Sequence, residues 1–320
     1  MRIMTCTFRQ RSSSWLRLCV RGGSSMIVHR SGIVGVLGQT NVGKSTFLNV
    51  VMGEKLLITS PKPQATRNRV RCVYTTDEEQ IVFVDTPGLH RAHNELSRHI
   101  LREAFRSLRE LDVILYMVAP WGKLSDYDRT LLDSLKGEER PIILVVNKID
   151  TARGNALEET LLAYERTGRF RELVPISATQ EKNIDEVLRT LVPYLPVGPA
   201  IFPADIKIDR PVEFLVAELI REKVFGVTFQ EVPYKTAVQV KWMHERDDGL
   251  MEIRADIVVD SKSHKGIIIG TQGKLIKRIG SSARPQIEAL LGAHIYLELM
   301  VKIRRGWTKD ESEIEELTGS

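Results

Sequence analysis

The run Gly38-Gln39-Thr40-Asn41-Val42-Gly43-Lys44-Ser45 follows the pattern G-x-x-x-x-G-K-[ST]. An apolar stretch, Ile33–Leu37, precedes it, and a helix-forming stretch, Lys44–Met52, follows. Glycines at 38 and 43 let the backbone curl with its N–H groups inward, and a helix start adds positive potential; together these cradle phosphates. Backbone N–H groups from Asn41 to Thr46, with Val42 and Gly43 among them, would face the phosphates. The Lys44 ammonium would reach the β and γ phosphates, and the Ser45 hydroxyl would ligate Mg²⁺.

Three further strings narrow the nucleotide. Asp85-Thr86-Pro87-Gly88 ends the apolar run Ile81–Val84; an acid there can hold Mg²⁺ through water, and the Gly88 N–H can meet a γ phosphate. Asn147-Lys148-Ile149-Asp150 ends Ile142–Val146. The Asp150 carboxylate can accept both hydrogens from guanine N1–H and its exocyclic amine, a pair adenine cannot donate. Ser177-Ala178-Thr179 ends Leu173–Ile176, where backbone N–H groups can meet the guanine oxygen. The expected ligands are therefore GTP and GDP with Mg²⁺.

These four motifs, each at the end of a successive apolar run, resemble the translation-factor class of P-loop GTPases. The resemblance implies guanine specificity at Asp150 and stacking of the base on the Lys148 stem. Between Leu57 and Val70 no helix or strand period is visible, which suits a switch loop ordered only while γ phosphate is present. Related GTPases carry a Thr-Arg pair there, so Thr66 is the expected magnesium ligand, with Thr59 as the alternative. Leu89 stands where Ras-type GTPases carry a water-orienting glutamine, so slow intrinsic turnover is expected. In the group with a hydrophobic residue at this position, an asparagine placed like Asn41 can coordinate K⁺. The expected catalytic set is then Lys44, Thr66 and Asn41. His90 as a general base is the disfavoured reading, with a solvent-facing side chain preferred.

A second chemistry lies further on. Residues 261–284 contain Lys262, Lys265, Lys274, Lys277, Arg278 and Arg284 and no acid. Within them Gly266-Ile267-Ile268-Ile269 leads into Gly270-Thr271-Gln272-Gly273-Lys274. A G-x-x-G loop after an apolar run and before a basic helix is the K-homology (KH) arrangement, in which the loop clamps single-stranded backbone and an apolar groove takes about four bases. Lys265, Gly266, Ile269, Gly270, Thr271, Gln272, Gly273, Lys274 and Lys277 are the expected RNA contacts. A G-x-x-G string can equally be a plain helix-entry turn; the surrounding element order and the missing acids favour the clamp.

The elements must hold these groups in place. From Gly32 to about Val192, apolar runs alternate with amphipathic helical stretches, including Asn94–Leu108, Asp126–Leu135, Ala156–Arg166 and Ile184–Leu191. This predicts an α/β fold with a doubly wound, mostly parallel sheet, ligands sitting at the strand carboxyl ends. Four prolines at 193, 196, 199 and 203 read as a stiff extended linker. Beyond them a helix (Pro211–Lys223), strands (Lys235–His244 and Leu250–Asp260), a glycine-bearing loop, a helix (Lys274–Leu290) and a strand (Ile295–Ile303) predict a small α+β type II KH domain. The expected division is a leader over 1–28, a GTPase domain over 29–193, a linker over 194–210, a KH domain over 211–305 and an acidic, solvated tail over 306–320.

Composition bounds the rest. The chain has 320 residues, 42% of them hydrophobic and 27% charged, ordinary globular values that disfavour a disordered chain or a coiled-coil rod. No apolar run approaches the ~18 residues of a spanning helix. Three cysteines form no CxxC pair, so no zinc cluster is indicated. The net charge of +5 equals the five arginines of residues 1–25, which hold no acid. That leader is read first as a start-site artefact ahead of Met26, then as an organellar transit peptide, then as a basic arm.

Gln64-Ala65-Thr66-Arg67 in a GTPase domain, followed by a proline-rich linker and a KH domain, resembles the Era family of ribosome-assembly GTPases. Glu231-Val232-Pro233-Tyr234, Ala283-Arg284 and Leu291-Gly292-Ala293-His294-Ile295-Tyr296-Leu297-Glu298-Leu299 carry the likeness on to about Thr308. Departures are Thr40 for the usual Pro, Ala65 for Thr and Thr179 for Leu; none removes a phosphate, magnesium or guanine ligand. The resemblance implies that a GTP-bound monomer binds the single-stranded 3′ end of 16S rRNA in the 30S ribosomal subunit precursor and lets go after hydrolysis. It also implies a cytoplasmic location with peripheral contact at the inner membrane. A mitochondrial or plastid location is the alternative if the leader targets the chain. The rivals are a passive RNA chaperone with structural nucleotide and a GTPase acting in tRNA modification, the latter disfavoured by the KH domain.

Overall fold

Val113–Val118 and Ile142–Val146 have no charged residue to turn toward water, and both are wholly buried interior strands of a six-stranded sheet. Such runs suit strands covered on both faces. The computed structural model describes residues 29–60, 62, 65–85 and 110–318. The sheet runs β2 (Val70–Thr75), β3 (Glu79–Asp85), β1 (Arg30–Gly38), β4 (Val113–Val118), β5 (Ile142–Val146), β6 (Glu172–Pro175), with only β2 antiparallel to its neighbour. On one face Phe47, Leu48 and Val51 of α1 (Lys44–Met52) pack with Val187, Leu188 and Leu191 of the later helix Ile184–Leu191. On the other, Leu131 and Leu132 of α2 (Asp126–Ser134) pack with Tyr164 of α3 (Ala156–Glu165); Ile184–Leu191 is α4. The helix expected over Asn94–Leu108 lies outside the described residues.

The proline-rich stretch is extended but is no free spacer. Val73 N–H donates to the Lys207 carbonyl at 2.8 Å and Asp209 N–H to the Arg71 carbonyl at 3.1 Å, so the chain adds a short strand beyond β2. The fully buried Gln80 side chain accepts from the N–H groups of Ile201 and Phe202 and donates to the Phe202 carbonyl. Pairing satisfies backbone groups that an open sheet edge would expose.

The second unit is ordered α5 (Val212–Val227), β7 (Thr236–Glu245), β8 (Met251–Val259), α6 (Lys262–Ile269), α7 (Lys274–Leu291), β9 (Ile295–Ile303). Strands β7 and β8 are antiparallel, β8 and β9 parallel. This is the type II KH topology. Two expectations need correction. The glycine-bearing apolar run was expected as loop, yet Lys262–Ile269 is a helix. Ser261 Oγ caps it by accepting from His264 N–H at 3.2 Å, and His264 and Ile268, one turn apart, are both buried. The acidic tail was expected to be solvated, yet Glu311–Thr318 forms α8. Ile314 and Leu317 dock, with Trp307, on Ala237 and Val258 of the sheet face opposite the KH helices. The acids turn outward, where Glu313 and Glu316 hold Arg304 at 2.9 and 2.8 Å. No helix among the described residues is long and apolar enough to cross a membrane.

Candidate functional site

The first loop leaves β1 through Gly38, whose φ of 141° and whose approach to the Met117 carbonyl leave no room for a Cβ, which would lie 2.1 Å from that oxygen. It enters α1 through Gly43 at φ 100°, where a Cβ would lie 2.3 Å from Asn147 Nδ2. Only glycine combines that conformation with such close packing. The α1 start has no side-chain cap and no acid in its first turn. Lys44 is buried, and its ammonium donates to the carbonyls of Gly38 (3.0 Å) and Gln39 (2.8 Å); burial draws its pKa down to about 8.

Three hard oxygens meet beside it. Ser45 Oγ donates to Asp85 Oδ2 at 3.0 Å and lies 3.1 Å from Thr66 Oγ1. Asp85 is fully buried, and its Oδ1 has no hydrogen-bond partner among the described residues. Burial pushes its carboxyl up to about 6, against the pull of Lys44, Ser45 and Thr66. A buried carboxylate with an unpartnered oxygen and two hydroxyls suits a small hard cation such as Mg²⁺. Thr59, the alternative ligand, engages Glu222 through its backbone N–H.

At the far end, Asn147 spans two motifs: its Nδ2 donates to the Val42 carbonyl at 2.8 Å and its Oδ1 accepts from Ala178 N–H at 2.9 Å. That cross-tie, 105 residues from one partner and 31 from the other, has no signal in local sequence. Lys148, at φ 66°, reaches the Asn41 carbonyl at 2.5 Å. Ser177 Oγ donates to Asp150 Oδ1 at 2.5 Å, fixing the plane of an otherwise exposed carboxylate. Direct bonds thus join Gly38 to Lys44, Asn41 and Val42 to Lys148 and Asn147, Asn147 and Asp150 to Ala178 and Ser177, and Ser45 to Thr66 and Asp85, while Asn41, Gly43, Lys44, Ser45, Thr46 and Thr66 line one pocket; Gly88, Leu89 and His90 lie outside the described residues.

The G-x-x-G loop joins α6 to α7. Gly270 (φ 70°), Gln272 (53°) and Gly273 (74°) are left-handed, and a Cβ on Gly270 would lie 2.7 Å from Leu275 Cβ. Lys262, Lys274, Lys277, Arg278 and Arg284 are exposed, Lys265 and Ile269 half-buried. Sequence reasoning missed Arg67: it was expected merely to mark the switch, but its guanidinium is buried in the KH unit. It also missed Asp128, a buried carboxylate that takes Gln39, Ser125, Tyr116 and Tyr164 at 2.6–2.8 Å and so braces the phosphate loop.

A cradle for phosphates with a guanine-reading end, on a mostly parallel sheet and joined to a KH domain, defines a P-loop GTPase with an appended nucleic-acid-binding fold. The family model described as 50S ribosome-binding GTPase matches residues 33–148, and that of the KH domain matches residues 231–308. The chain is 45% identical over 289 residues to GTPase Era of Geobacter metallireducens, covering 90% of this chain and 97% of that protein. It is equally identical to GTPase Era of Halothermothrix orenii, covering 90% and 98%. Two solved structures superpose with a TM-score of 0.85 at 36% identity, each covering 90% of this chain and 98% of the other. One is a variant of Aquifex aeolicus Era bound to GDP and aluminium fluoride; the other is Era with MgGDPNP and nucleotides 1506–1542 of 16S ribosomal RNA. The chain belongs to the Era family of GTPases and hydrolyses GTP.

Proposed function

We propose that this chain is a GTP-timed clamp for the single-stranded 3′ end of 16S rRNA that assists maturation of the 30S ribosomal subunit. The observation that carries the reading is that a phosphate loop with the guanine-side motifs beside it and a G-x-x-G clamp stand in one chain whose relative has been captured with that RNA segment. Guanine is read by Asp150, with Ser177 fixing the carboxylate; the Ala178 N–H, expected at the base oxygen, donates to Asn147 Oδ1 instead and so ties the two guanine-side motifs together. Lys44 neutralises the β and γ phosphates, with the N–H groups of Val42, Gly43 and Thr46 around them. Ser45, Thr66 and Asp85 would hold Mg²⁺, which when bound supplies positive charge to the phosphates.

Leu89 cannot polarise water, so the missing charge must come from elsewhere. Asn41, at the mouth of the loop, is the residue that would hold K⁺ where an arginine finger stands in other GTPases. In the KH unit, Gly270 to Gly273 take the RNA backbone, Gly266 and Ile269 line the base groove, and Lys265, Lys274 and Lys277 neutralise phosphates.

The test is multiple-turnover phosphate release in K⁺ against Na⁺, with and without an oligonucleotide copying the rRNA 3′ end. Stimulation by both K⁺ and RNA is expected. Turnover indifferent to both would leave a passive RNA chaperone whose nucleotide is structural.

A further inference from the structure

The segment between α1 and β2 carries Thr66, yet its anchors lie largely on the KH unit. Thr59 N–H donates to Glu222 Oε2 at 3.1 Å, and Glu222 also pairs with Lys55 at 2.6 Å. Lys62 donates to the carbonyls of Phe225 and Thr228 at the end of α5. Arg67 donates to the carbonyls of Thr236 (2.8 Å), Pro233 (3.0 Å) and Tyr234 (2.9 Å), between the rings of Phe225 and Trp307.

Arg221 of α5 completes the grip from the other side of Thr66. Its Nη2 donates to the Ala65 carbonyl. The guanidinium cannot swing away: Nε and Nη2 donate to Glu218 Oε1 and Oε2, each at 2.6 Å, and its Cζ lies over the Phe225 ring, 5.3 Å from the centroid. Only 3% of the side chain is exposed, so water does not compete for the carbonyl. A charge-assisted bond in such surroundings is stronger and shorter than a neutral one. With Ala65 and Arg67 both fixed, the Thr66 hydroxyl has little freedom to leave its place 3.1 Å from Ser45 Oγ.

We propose that Arg221 is a positioning residue for the GTPase centre, acting from the KH unit through the Ala65 carbonyl to hold the Thr66 hydroxyl at the metal position. This rests on the reading of Thr66 as a magnesium ligand. Arg221 bonds the Ala65 carbonyl and Glu218 rather than the Ser45, Thr66 or Asp85 oxygens, so its influence is on where Thr66 sits. The arrangement makes the metal site incomplete without the C-terminal unit.

The experiment is a magnesium titration of GTP hydrolysis by the full chain, with parallel affinities for a non-hydrolysable GTP analogue and for GDP. Arg221→Gln is expected to raise the half-saturating Mg²⁺ and weaken the analogue by about tenfold, as loss of a charged hydrogen bond implies, while GDP affinity stays unchanged. Glu218→Gln, which frees Arg221 without removing it, is expected to shift both in the same direction by a smaller factor. In a Thr66→Ala background Arg221→Gln is expected to add nothing. Equal weakening of GDP and the analogue, or an effect that persists without the Thr66 hydroxyl, overturns the proposal. If Thr66→Ala shifts the magnesium dependence and neither Arg221→Gln nor Glu218→Gln does, this inference alone falls. If Thr66→Ala is itself silent, the reading of Thr66 falls with it.

Discussion

The loop from Gly38 to Ser45 and the loop from Gly270 to Lys274 are built alike and enclosed differently. Each enters a helix from a left-handed glycine, Gly43 at 100° and Gly273 at 74°. Around Gly43 the fold is closed, with Asn147 against the backbone and Lys44 buried. Around Gly273 a Cβ would meet nothing within 4 Å, and Lys274 and Lys277 stand in solvent. The difference separates two tasks. A closed loop fits one compact ligand with fixed dipoles and a metal; an open loop admits a polymer that enters and leaves at both ends, held by screened charge.

Three measurements sharpen or break this contrast. The largest effect is expected at the nucleotide site: Asp150→Asn should weaken GTP at least about a hundredfold and favour xanthosine triphosphate, because the amide would set an N–H against one of the two guanine donors that the carboxylate accepts. Unchanged GTP affinity in a nucleotide titration would remove Asp150 from the guanine site. Next, Gly270→Asp combined with Gly273→Asp should weaken a 3′-end rRNA oligonucleotide by roughly tenfold or more, through left-handed strain and added negative charge. GTP affinity should hold; a parallel loss of both would mean that the loops are not separate sites. The smallest effect is Lys277→Ala, which should lower the slope of log RNA affinity against log salt by ~0.7, the share of one phosphate contact on a single strand. An unaltered slope would place Lys277 off the RNA path.

What was readable in the sequence was local. Val113–Val118 and Ile142–Val146 declare buried strands by composition, and the glycines at 38, 43, 270 and 273 mark turns by spacing. The KH order also emerged, but α6 did not: Gly266 and three consecutive isoleucines hide the one-turn spacing of His264 and Ile268. The C-terminal helix was obscured by five acids around Ile314 and Leu317, whose partners Ala237 and Val258 are far away in the chain. Arg67, Asn147 and Asp128 are set by long-range contacts, the first reaching carbonyls more than 160 residues away. No period or motif encodes such ties, because each depends on two surfaces that meet only after folding.

The strand added by Lys207–Asp209 means that the boundary suggested by composition is not the boundary drawn by hydrogen bonds. A fragment ending before Pro196 would carry the side chains of the nucleotide cleft but not the C-terminal groups that hold the Thr66 segment, and it would leave β2 with a bare flank, open to pairing with another molecule. Excising the GTPase half is therefore less a matter of finding a hinge than of unzipping a seam, and a soluble fragment needs to extend through residue 209.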